Sequence, residues 1–250
     1  MRALDVAVLV LSGVLAGAIN AIAGGGSLLT YSGLVFAGLD PIGANATGTV
    51  GLVPAAIASA FGYRHDLAGT RRQLAWLTPL SLLGGGIGAL TLVKTPQSVF
   101  VVVLPMLILF ATLSFAFGER LRMRFLASGY ASPAAVALAQ LIIAIYGGYF
   151  GGGMGLMMLA TFALLGMKDL HAMNGLKNML AVAINGVAVA VFFWNGVVHL
   201  QAAAIITAGG VVGGFVGTAA AKKTDVRRLK GVVIAIGATL TVVFAVRAYG

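Results

Sequence analysis

Ten apolar stretches, at 5–22, 27–38, 45–63, 73–93, 98–117, 132–150, 154–166, 174–194, 201–221 and 229–248, take up most of this chain, with short glycine-rich or charged connections between them. A helix rises about 1.5 Å per residue, so roughly 18 to 21 residues cross the ~30 Å hydrocarbon core of a bilayer, and most of these stretches reach that length. Backbone in hydrocarbon must satisfy its own hydrogen bonds, so runs of this length imply helices. The chain therefore reads as an all-α, polytopic integral membrane protein. Its composition agrees: with 60 % apolar and 9 % charged residues, a soluble chain of 250 would lack the polar surface to face water.

Two stretches, 27–38 and 154–166, are too short to cross unaided, and each follows a glycine-rich break, Gly24-Gly25-Gly26-Ser27 and Gly151-Gly152-Gly153-Met154-Gly155. The breaks are related. Sliding the sequence by 129 residues pairs Gly24 with Gly153, Asp40 with Asp169, Asn45 with Asn174, Gly84 with Gly213, and Lys94-Thr95 with Lys223-Thr224, which marks an internal duplication. The expected fold is two inverted repeats, each of about three full spans plus a Gly-broken helical hairpin, giving 8–10 membrane helices in all. The first repeat covers 1–118, a cytoplasmic linker 119–131, and the second repeat 132–250.

Charge sets the expected topology. With five elements per half, loops carrying Arg64, Arg71, Arg72, Arg120, Arg122, Arg124, Lys168, Lys222, Lys223, Arg227, Arg228 and Lys230 share one side, while Arg2, Lys94 and Arg247 fall opposite. The positive-inside bias places the larger group in the cytoplasm and both termini in the periplasm of an inner-membrane protein. Merging each broken pair into one span gives four helices per half and splits the basic clusters between the two sides, a worse fit. Arg2 and the apolar run into Ala18-Ile19-Asn20-Ala21 have signal-peptide features, but the same region recurs at 132–150, so it is read as a structural helix.

A helix that starts inside the membrane exposes unpaired amides and a partial positive charge, which attract anions. The breaks offer two such starts, with Gly24, Gly25, Gly26, Gly152 and Gly153 permitting sharp turns and Ser27 available as a cap. The same glycines could instead serve close helix packing, as expected for Gly13/Gly17, Gly84/Gly88, Gly147/Gly151 and Gly213/Gly217. Polar residues within apolar helices need partners or a cavity. The richest group is Asn174, Lys177 and Asn178, followed by Asn185, and its counterpart in the first half is Asn45, Thr47 and Thr49. Lys177 either supplies the fixed charge of an anion site or snorkels to the headgroups. Asn20, Tyr31, Gln140, Tyr146 and Tyr149 are further candidates for the path, with the tyrosines equally suited to anchoring at the interface.

The six acids, Asp5, Asp40, Asp66, Glu119, Asp169 and Asp225, fall in loops or near span ends, where they make no buried proton relay or cation site. No catalytic residue set, metal motif or cofactor signature is visible: the chain has no cysteine, its three histidines are scattered, and Gly84-Gly85-Gly86-Ile87-Gly88 lacks the Gly-Lys-Ser/Thr ending of a phosphate loop. The formal charge of +10 is explained by topology, so nucleic acid is not an expected partner.

The segment from Gly17 through Asn20 and Gly24-Gly25-Gly26 to Ser27, the following Asn45-Ala46-Thr47, and Gly147-Gly148-Tyr149-Phe150-Gly151-Gly152-Gly153-Met154-Gly155 together resemble the sulfite exporter TauE/SafE family of bacterial membrane permeases. That resemblance implies export of sulfite, sulfoacetate or a related organosulfur anion, and it carries over no binding residue. The expected function is a secondary transporter, acting as an exporter without cofactor, in which one half rocks against the other. The alternatives are an uptake permease for the same anions and a non-transporting subunit that scaffolds a sulfur-metabolism enzyme. Expected partners are the small anion and the lipid bilayer, with homodimerisation left open.

Overall fold

The computed structural model describes residues 2–22, 26–128, 131–220 and 226–249. These form α1 (Ala3–Ile22), α2 (Ser27–Phe36), α3 (Pro41–Gly62), α4 (Arg71–Lys94), α5 (Gln97–Ser128), α6 (Pro133–Tyr149), α7 (Met154–Leu164), α8 (Leu170–Trp194), α9 (Leu200–Ala220) and α10 (Val226–Tyr249), with no strand among the described residues. Each apolar stretch is one helix, five per half, and both glycine-rich breaks separate two helices. Helices α1, α3, α4, α5, α8 and α9 are long and apolar enough to cross a membrane, whereas α2 and α7 have only 10 and 11 residues. The chain is a polytopic membrane protein.

Local chemistry fixes the helix ends. The repeat-related acids are both N-caps: Asp40 Oδ1 accepts from the Gly43 amide at 2.8 Å, and Asp169 Oδ1 accepts from the His171 amide at 2.8 Å. Ser132 caps α6 in the same way, with Pro133 preset at the first helical position. The segment 119–131 is helical as far as Ser128, because α5 continues past its apolar part. Glu119 and Arg122, one turn apart, pair there at 2.6 Å.

The two halves interleave. α1 runs alongside α9 in the same direction, with Gly13 against Gly209 and Gly210 and Gly17 against Gly210 and Gly214. α4 and α6 repeat this contact, Gly84 meeting Leu141 and Ala144, and Gly88 meeting Ile145 and Tyr149. The interlock therefore forms twice, as the duplication requires, and three of the small-xxx-small pairs lie in it. The fourth does not: Gly147 faces Met154 and Ile184, and Gly151 lies beyond the end of α6.

Direction follows from the loops. Just past α4, Gln97 Nε2 donates to Asp40 Oδ1 at 3.4 Å, and just before α9, His199 Nε2 lies 3.7 Å from Asp40 Oδ2. The end of α4 and the start of α9 thus share one face with Asp40. α1, parallel to α9, starts on that face, and α6, parallel to α4, starts on the opposite one. The copies are inverted. Each opens with a hairpin that returns to its own side: Gly33 of α2 lies by Leu9 and Ser12 of α1, and the Ala131 amide donates to the Leu164 carbonyl at 3.1 Å. The face opposite Asp40 carries Arg64, Arg71, Arg72, Arg120, Arg124 and Lys168, as the charge pattern of the loops requires.

Candidate functional site

The last carbonyls of a broken helix have no intrahelical donor. Here the opposite half supplies one. Lys177 Nζ on α8 donates to the Asn20 carbonyl at the end of α1, at 2.9 Å, and to Asn174 Oδ1 at 2.9 Å. In the symmetry-related place, Asn45 Nδ2 on α3 donates to the Tyr149 carbonyl at the end of α6, at 2.9 Å. The first hairpin is closed further by the Gly26 amide, which donates to Asn20 Oδ1 at 2.8 Å.

The second break turns on backbone shape. Gly151 and Gly153 have φ of +78° and +77°, the left-handed region that glycine enters without strain. Tyr146 locks the turn by donating its hydroxyl to the Gly152 carbonyl at 2.7 Å. Gly151→Ala places an L-residue there, which costs roughly 1–2 kcal/mol. Thermal unfolding of the purified protein is expected to show a melting temperature lower by roughly 2–8 °C. An unchanged value would mean the turn relaxes to another shape.

Between the two hairpins, α3 and α8 enclose a small cavity of about 40 Å³, enough for roughly three waters. Asn20 and Ser27 reach it from the first hairpin, and Phe150, Gly151, Met154 and Gly155 from the second. Thr49, Leu52 and Ala56 on α3 face Asn178, Ala181 and Asn185 on α8, and these three pairs are related by the 129-residue repeat. Lys177 completes the lining, at 1 % exposure.

The wall of this cavity carries unmatched donor groups. Ser27 Oγ and Asn178 Nδ2 are buried without a hydrogen-bond partner, and the Lys177 ammonium has no ion pair among the described residues. Lys177 does not snorkel, because its ammonium is held inward by the Asn20 carbonyl. Ser27 is the first helical residue of α2 rather than its cap, which leaves its hydroxyl unpartnered at the cavity.

Ser27, Lys177 and Asn178 thus line the cavity together with Asn20, Thr49 and Asn185, while several other candidates stand behind it. Asn45 and Asn174 hold the broken ends, as described. Thr47 Oγ1 accepts from the His199 amide at 3.0 Å and joins α3 to α9. Gly152 and Gly153 pack toward Ala111 of α5. Gln140 Nε2 donates to Ser81 Oγ at 2.8 Å between α6 and α4, and Tyr31 lies edge-on to Phe150 with ring centroids 6.0 Å apart. Gly24 and Gly25 lie outside the described residues. Leu52, Ala56, Phe150 and Ala181 were not expected from sequence. Three of these four have a signal in the repeat register, because Leu52 pairs with Ala181, and Ala56 pairs with the polar Asn185.

Comparison with known proteins agrees with this architecture. A probable membrane transporter protein of Haemophilus influenzae is 28 % identical over 219 residues, which cover 84 % of this chain and 83 % of that protein. No solved structure matches. The model of the sulfite exporter TauE/SafE family matches residues 9–244, a span that takes in both hairpins, both glycine interlocks and every residue of the cavity wall. The fold is that of a polytopic membrane protein, the matched family is one of membrane transporters, and the chain belongs to the sulfite exporter TauE/SafE family.

Proposed function

We propose that the protein is a secondary transporter that exports a small anion, sulfite or an organosulfonate such as sulfoacetate, through the cavity between the two hairpins. The observation that carries this reading is a cavity furnished with unmatched hydrogen-bond donors and one ammonium, with no carboxylate among the described residues of its wall. The starts of α2 and α7, one from each half, lie beside it and add partial positive charge. A sulfur oxyanion offers acceptors on every side, which suits the unmatched donors Ser27 Oγ and Asn178 Nδ2 and the Lys177 ammonium. A metal cation would meet only repulsion from Lys177.

The protein sits in the inner membrane with the face carrying Arg64, Arg71 and Arg72 in the cytoplasm and both termini outside. Export then runs with the membrane potential, each negative charge gaining about 2.3 kcal/mol per 100 mV, so no coupling ion is required. In proteoliposomes, sulfite or sulfoacetate is expected to leave down an inside-negative potential and to carry net charge. Absence of electrogenic flux for sulfite, sulfoacetate, thiosulfate and sulfate would end this reading. A stably co-purifying enzyme together with no flux would establish a scaffold instead.

A further inference from the structure

The symmetry between the halves fails where α10 approaches the first hairpin. In the second hairpin, α7 lies directly on α5: Leu156 Cβ is 3.1 Å from where a Cβ on Gly118 would stand, and Gly153 sits against Ala111. The repeat counterpart of Gly118 is Arg247, and there the corresponding helices are apart. α10 meets α2 through Tyr31 and Phe244, whose ring centroids are 5.9 Å apart, and beyond that contact a groove of about 480 Å³ opens between α10 and the α1–α2 hairpin.

Leu11, Leu15, Phe36, Leu240 and Val243 line this groove, and Arg247 stands in it, on the last turn of α10. Leu11 is 60 % and Phe36 57 % exposed, so the groove opens outward and not toward the anion cavity. Its depth is fixed by Tyr249, whose hydroxyl donates to the Val102 carbonyl near the start of α5 at 2.6 Å, placing Arg247 at the Asp40 face. Arg247 has no ion pair among the described residues, and Asp5, the acid on α1, is taken by Arg2 at 3.1 Å.

We propose that this groove binds one anionic phospholipid, an acyl chain lying along the apolar wall and the phosphate on the Arg247 guanidinium. Hydrocarbon, not water, surrounds a groove at this depth, and an acyl chain is the apolar material at hand. A guanidinium at the membrane interface matches a phosphodiester with two parallel hydrogen bonds. A bound lipid here would occupy, for the first hairpin, the space that α5 fills for the second.

The test is native mass spectrometry of the delipidated protein titrated with phosphatidylglycerol or phosphatidylcholine of identical chains. The wild type is expected to retain one phosphatidylglycerol about ten-fold more tightly than phosphatidylcholine. Arg247→Ala should keep a lipid but lose this preference, and Val243→Trp, which fills an exposed part of the groove, should lose both lipids. Equal retention of the two lipids by the wild type, or an unchanged adduct in Val243→Trp, would overturn the proposal. So would a wild-type dimer that Val243→Trp converts to monomer, since the groove would then hold a second copy of the chain.

Discussion

Lys177→Ala is expected to weaken the apparent affinity for the transported anion by about two to three orders of magnitude, while Lys94→Ala leaves it within about two-fold. Two unit charges about 4 Å apart at an effective dielectric near 20 attract by about 4 kcal/mol, and the buried Lys177 has no competing carboxylate to reduce its share. Lys94 lies in the last turn of α4, outside the cavity wall. The substitution also removes the donor that the Asn20 carbonyl and Asn174 Oδ1 share, and losing a buried hydrogen bond costs about 1–3 kcal/mol. Flux must therefore be normalised to inserted protein, and Lys177→Gln separates the two effects. Glutamine keeps a donor for the Asn20 carbonyl but no charge, so it should restore insertion without restoring affinity. Full anion affinity in Lys177→Gln would reduce Lys177 to a clamp on the end of α1 and remove the charged centre of the proposed site.

What was legible in the sequence is what depends on local pattern. The apolar runs located the ten helices of the described residues, because backbone in a bilayer has one way to satisfy its own hydrogen bonds without closing a barrel. The acids paired by the 129-residue offset, Asp40 and Asp169, proved to be matching helix caps. Contacts between distant segments were not legible. An asparagine inside an apolar helix announces that it needs a partner, but Asn45 finds the Tyr149 carbonyl 104 residues away, and Lys177 finds the Asn20 carbonyl 157 residues away. Thr47 belongs to the same polar cluster in sequence, yet its helical position faces α9, where its hydroxyl oxygen accepts from the His199 amide. Apolar wall residues such as Leu52 carry no mark at all in a chain so rich in leucine and alanine, and only the repeat register sets them apart.

Gly88→Ala and Gly213→Ala are expected to be among the most damaging single-methyl changes at the described glycines. A Cβ on Gly88 would land on the Ile145 carbonyl oxygen, and one on Gly213 on the Val14 carbonyl oxygen, so in both cases the obstacle is backbone of the neighbouring helix. A side chain can rotate away from an added methyl, but a helix must move as a whole. The penalty therefore falls at or above the usual overpacking range, at about 3 kcal/mol or more. Thermal unfolding in detergent should show a loss of roughly 6–12 °C or more, with poor recovery of folded protein. Gly186→Ala is the control, because its Cβ meets nothing within 4 Å, and removing a glycine from the interior of α8 should raise stability by up to about 1 kcal/mol. The two damaging sites also bear on how the transporter can move. Gly88 joins α4 to α6 and Gly213 joins α9 to α1, so each interlock ties one sequence half to the other. Rocking of the first half against the second, the motion expected from the repeat alone, would have to part both glycine seams at once. Wild-type stability in Gly88→Ala and Gly213→Ala would show that the seams are loose enough to part, and the halves could then rock as units.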